Sequence, residues 1–83
     1  MSYTYILKCS DGTYYTGWTT DPERRVKEHN AGRGARYTRH RRPVELVYVE
    51  EHPDRSRAMS REYKIKKLTH TQKEELAQSY SVS

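Results

Sequence analysis

YTYILKCSDGTYYTGWT, residues Tyr3 to Thr19, reads as two extended runs about a tight turn. The runs, Tyr3 to Lys8 and Thr13 to Thr19, are rich in Tyr, Thr, Ile and Trp, residues that suit a pleated, half-buried surface. Between them stands Ser10-Asp11-Gly12, and Gly12 can take the left-handed conformation that a three-residue hairpin loop requires. That loop sets Cys9 opposite Thr13 and Leu7 opposite Tyr15. Tyr5, Leu7 and Tyr15 then share a face, because side chains alternate with period two. A two-residue Asp11-Gly12 loop would instead put Tyr5 and Tyr15 on opposite faces.

Outward from the hairpin, the other elements announce themselves by their ends. Asp21 is placed to cap a helix, Pro22 fits its first position, and Glu23 suits the positive end of the dipole. This helix is predicted to span 21–31 and to stop at Gly32, with Val26 as its apolar anchor. Arg25 and His29 are four apart and so lie on one face beside Val26. Gly32 to Arg42 reads as a loop or short helical turn. Pro43 then opens a strand, Val44 to Glu51. Its unbroken run Leu46-Val47-Tyr48-Val49 predicts burial on both faces, hence a central strand with Leu46, Val47 and Val49 buried.

Asp54 caps a further helix over 54–68, with Ala58, Ile65 and Leu68 turned inward. Glu62 falls on that same stripe, where a carboxylate is costly unless paired with a cation or a metal. An ion pair with one of the many arginines and a metal site are both consistent with the spacing. A last helix spans 70–78, opened by a capping box, either Thr69 with Gln72 or Thr71 with Glu74. Residues 79–83 are expected to be a frayed tail. The fold class is therefore α+β: a three-stranded antiparallel sheet flanked by helices, in the order β-β-α-β-α-α, forming one domain over 1–83.

Eighty-three residues at 33% apolar content leave room for one thin core, with tyrosines supplying much of the buried surface. The single cysteine, Cys9, excludes an internal disulfide and a multi-cysteine zinc site. No apolar run approaches the roughly 20 residues needed to span a bilayer, and no signal-peptide pattern opens the chain, so a cytoplasmic protein is expected. The formal charge of +5 is concentrated. Residues 21–42 carry eight basic and three acidic side chains, while those outside cancel. Arg33, Arg36, Arg39, Arg41 and Arg42, with Tyr37 between them, are the expected nucleic-acid-binding residues: the arginines neutralise phosphates and the tyrosine can stack a base.

The hairpin, the first helix and Glu62 together resemble the GIY-YIG nuclease domain, most closely its small, free-standing bacterial members. The likeness runs from Tyr3 to about Leu76. Tyr3-Thr4-Tyr5 stands for the first motif, keeping only its tyrosine, Tyr5. Tyr15-Thr16-Gly17 stands for the second. The family's helical arginine and its His or Tyr fall at Arg25 and His29, and its metal-binding glutamate at Glu62. Two positions depart from the pattern. Trp18 stands where many members have a lysine, and an asparagine often found near the end of the domain has no counterpart after Leu68. The usual appended DNA-recognition domain is not expected within these 83 residues. The resemblance implies an endonuclease that hydrolyses DNA phosphodiester bonds, on branched or single-stranded forms, with Mg²⁺ or Mn²⁺ as cofactor. Tyr5, Tyr15, Arg25, His29 and Glu62 form its catalytic set, either tyrosine serving as the base, and Glu62 is its metal ligand. A catalytically weak nucleic-acid-binding module is the alternative, favoured by Trp18 in place of lysine.

Overall fold

The computed structural model describes residues 1–81. Seven elements follow in order: β1 (Ser2–Lys8), β2 (Tyr14–Thr19), α1 (Pro22–Asn30), α2 (Arg36–Arg39), β3 (Glu45–His52), α3 (Arg55–Lys66) and α4 (His70–Ser81). The strands form one antiparallel sheet in the order β2-β1-β3, so the expected α+β class holds. The hairpin has the three-residue loop. Leu7 pairs with Tyr15, the Cys9 amide donates to the Thr13 carbonyl at 2.8 Å, and Gly12 sits at φ +84°. Asp11 closes the loop by accepting from both the amide and the hydroxyl of Thr13.

The strand expected at the centre is at the edge. β1 is central, and Thr4, Tyr5, Ile6 and Leu7 are all at most 1% exposed. Leu46, Val47 and Val49 are only half-buried. A register shift explains how an edge strand carries an unbroken apolar run. Ile6 pairs with Tyr48 but Leu7 with Leu46, which leaves Val47 as an extra residue. The bulge resets the alternation, so Leu46 and Val49 both reach the core of Tyr5, Leu7, Cys9 and Val44. Tyr48 turns to the other face and meets Tyr80 of α4 edge-on at 5.8 Å. Helices over the sheet cover β3, and no outer strand is needed. β1 looks half polar in sequence because its threonine is satisfied internally: the Thr4 hydroxyl donates to the Ala58 carbonyl of α3 at 2.8 Å.

The helix ends follow the capping chemistry. Asp21 accepts from the Arg24 amide, Asp54 from the Arg57 amide, and Gly32 ends α1 at φ +84°. Thr69 and Gln72 form the reciprocal capping box. α4 continues to Ser81 instead of fraying after Gln78; Tyr80 is anchored on Tyr48, and the last two residues of the expected tail lie outside the described chain. No helix among the described residues is long and apolar enough to cross a membrane.

Candidate active site

The hairpin register places Tyr5 directly opposite Gly17. The tyrosine ring lies over that glycine so closely that a Cβ there would stand 2.6 Å from the phenolic oxygen. The glycine of the second motif is thus a space requirement. On α1, the face beside Val26 carries His29 into complete burial against Gly34, whose Cβ would come within 2.2 Å of Nδ1. Two missing side chains on different segments let one tyrosine and one histidine meet. The Tyr5 hydroxyl is 2.9 Å from His29 Nε2.

The hydrogen bonds fix the direction of this pair. His29 Nδ1 is 2.7 Å from the Thr38 hydroxyl, which donates its one proton to the Ala35 carbonyl at 3.1 Å. With its proton committed there, Thr38 can only accept from the ring. Nδ1 therefore carries the imidazole hydrogen and Nε2 presents a lone pair to the Tyr5 hydroxyl. The ring is neutral, because burial foremost, with the nearby Arg25 charge, pushes its pKa down to about 4. Burial likewise pushes Tyr5 up to about 12, and Arg25 only partly opposes it.

Tyr15 packs beside this pair, its ring 5.2 Å from His29 and 6.5 Å from Tyr5. Burial raises its pKa too; Arg25 pulls it down and Glu62 pushes it up. The Glu62 charge acts on Tyr5 in the same sense. The five expected catalytic residues therefore share one electrostatic neighbourhood, reached from β1, β2, α1 and α3. Arg25 is held by Glu28 and by the Gly34 carbonyl, each at 3.1 Å, and stays partly exposed.

Glu62 differs from expectation. Ala58 and Ile65 fill the inner stripe of α3 completely, while Glu62 flanks it with its side chain 21% exposed. Its partner is Lys66, one turn on at 3.7 Å, and among the described residues no arginine pairs with it; Arg61 goes to Glu50 instead. No group of three or more His, Cys, Asp or Glu side chains converges among the described residues. One partly exposed carboxylate with a loose ion pair fits a hard, mostly hydrated divalent ion, and it does not fit a zinc cage.

The basic segment divides. Arg33, Arg36 and Arg39 are exposed, and their side chains make no ion pair or hydrogen bond among the described residues. Arg41 is tied to Asp11 at 3.0 Å and to the Tyr37 carbonyl at 2.8 Å, and its guanidinium lies 4.0 Å over the Tyr37 ring. Arg42 donates to the Arg39 and Asn30 carbonyls. Tyr37 also stacks on Tyr15 at 6.0 Å, so a base stacking on Tyr37 would compete with protein groups already there. Thr38 and Gly34 escaped the sequence reading. Gly34 offered one clue: it follows Gly32 by two positions, more glycine than one helix stop needs.

His29 ties stability to pH. Its folded pKa, about 4, lies below the ordinary 6.5. Above pH 6.5 both folded and unfolded forms are neutral there and the stability is fully present. As pH falls from 6.5 to 4 the unfolded chain takes a proton that the folded site refuses, and stability drops by up to about 3 kcal/mol. Denaturation across that window should show this slope in the parent and a flatter one in His29→Phe.

An antiparallel sheet that presents paired tyrosines, an arginine, a neutral histidine and one outlying carboxylate defines a domain of the nuclease class. Residues 1–75 match the GIY-YIG catalytic domain, and the chain belongs to that family. It is 59% identical over 76 residues to a UPF0213 protein of Halobacterium salinarum, covering 92% of this chain and 99% of that one. A UPF0213 protein of Clostridium perfringens is 56% identical over 82 residues, covering 99% and 88%. The relatives thus include archaeal as well as bacterial proteins. Among solved structures, that of a protein from E. faecalis aligns with TM-score 0.64 at 46% identity, covering all of this chain and 90% of the other. A UPF0213 protein from Bacillus halodurans aligns at 0.58 with 48% identity, covering 94% and 84%.

Proposed function

We propose that this protein is a divalent-metal-dependent endonuclease that hydrolyses DNA phosphodiester bonds. The observation that carries the reading is the directed chain from the Tyr5 hydroxyl to His29 Nε2, and from Nδ1 to Thr38, beside Arg25. A tyrosine whose pKa stands at about 12 is a poor free base. Tyr5, however, has a hydrogen-bond acceptor behind it. Its own proton is held by His29 Nε2, so its oxygen lone pairs are free to accept a hydrogen bond from the attacking water and orient it, while His29 stays neutral. Thr38 keeps His29 in the tautomer this needs. Arg25 faces the phosphate with its uncommitted N–H groups and stabilises the charge that builds on the oxygens. Tyr15 orients the water or the phosphate. Glu62 would hold Mg²⁺ or Mn²⁺, and a bound ion supplies Lewis acidity at a phosphate oxygen. The test is incubation with supercoiled, single-stranded and branched DNA, with and without the metal. Nicking that chelator stops is expected. Binding without cleavage of any substrate would favour the binding module.

The uncommitted arginines should set the affinity. Replacing Arg33, Arg36 and Arg39 together by alanine should lower the salt dependence of duplex binding by about three units of slope, near 0.9 per lost phosphate contact. An unchanged slope would remove them from the interface.

A further inference from the structure

Every one of the eight tyrosines has a partner for its hydroxyl or its ring. The lone tryptophan has neither. Trp18 is half-buried on the edge strand β2, one position past Gly17, and among the described residues its indole N–H and ring faces make no such contact. It lines a cleft of about 350 Å³ with Thr19, Thr20, Arg24, Arg25 and Glu28. Arg25 is also the arginine of the tyrosine-histidine site, so the cleft adjoins that site through Arg25. Glu28 is already engaged by Arg25, whereas the exposed Arg24 side chain makes no ion pair or hydrogen bond. The cleft is therefore lined by an aromatic side chain that has no ring partner among the described residues and by a free cation.

We propose that this cleft takes one unpaired nucleotide adjoining the phosphate held by Arg25, its base stacked on Trp18 and its phosphate on Arg24. The proposal rests on the nuclease reading and names the residues through which unpaired DNA would be selected. Base stacking on an aromatic ring tolerates any sequence, because every base has a π-face. A base inside a duplex has both faces covered by its neighbours, so the platform selects single-stranded, flapped or looped DNA.

Because the chain has one tryptophan, its fluorescence reports this cleft alone. The full-length protein is titrated in EDTA, which separates binding from cleavage, with an oligo-dT single strand, a blunt duplex, and a single strand of abasic sugars. Binding is followed by anisotropy of a dye on the DNA. We expect the single strand to quench Trp18 and the duplex and abasic strands to do so weakly or not at all. Trp18→Ala should weaken single-strand binding about 5- to 100-fold, and Trp18→Phe should keep most of it. The proposal is overturned if saturating single strand leaves the fluorescence unchanged, if duplex quenches equally, or if folded Trp18→Ala binds as the parent does. Metal-dependent cleavage without quenching sinks the stacking site alone. Quenching without cleavage of any DNA keeps the site and sinks the nuclease.

Discussion

Glu62→Gln should abolish metal-dependent cleavage, by a thousandfold or more, and leave the melting temperature almost unchanged. The side chain is only partly buried, and its one ion pair is the long contact with exposed Lys66. Pairs of that kind contribute about 0.5 kcal/mol or less. Glutamine keeps the size and loses the charge that a divalent ion needs. DNA binding in chelator should persist, since the free arginines lie on other elements. A variant that cleaves as well as the parent would remove Glu62 from the mechanism. One that melts much earlier would make its role structural.

The second large effect is expected on stability. Gly34→Ala puts a Cβ 2.2 Å from His29 Nδ1, and His29 cannot retreat because Tyr5 and Thr38 hold it from both sides. Overpacking a filled site costs about 1–3 kcal/mol, and here the buried hydrogen bonds are lost as well, so about 3 kcal/mol or more is expected. Gly17→Ala, at 2.6 Å from the Tyr5 hydroxyl, should act on the same pair. Gly12→Ala is the control. It meets nothing within 4 Å and carries only the cost of φ +84°, about 1–2 kcal/mol. If chemical denaturation ranks Gly12→Ala as the more damaging change, His29 is not seated where it is described.

What could be read in the sequence was local. Asp21, Asp54 and the Thr69–Gln72 box act within four residues, and the Gly12 turn sets the register of its own hairpin. The rank of the strands is a long-range property. Leu46 to Val49 signalled cover on two faces, and sequence cannot say whether helices or strands provide it. The burial of Thr4 in β1 depends on a carbonyl 54 positions away, which no local pattern announces. The five site residues were legible through their resemblance to a family. Thr38 was not, since nothing in a Gly- and Arg-rich segment marks one hydroxyl for burial under a histidine. Nor did charge counting separate Arg33, Arg36 and Arg39 from Arg41 and Arg42, which are spent on Asp11 and on backbone carbonyls.

The central place of β1 has a consequence for how the chain is made. β1 emerges from the ribosome before either partner. β2 follows at once and closes a short loop, but the other edge pairs Ser2 with His52 and must wait for β3. At synthesis rates of 5–20 residues per second that wait lasts roughly 2 to 9 seconds. Throughout it the nascent hairpin presents an open strand edge carrying Tyr5, Ile6 and Leu7, the most deeply buried run of the finished protein. The strand that anchors the folded sheet is thus, during synthesis, the one most exposed to pairing with another chain.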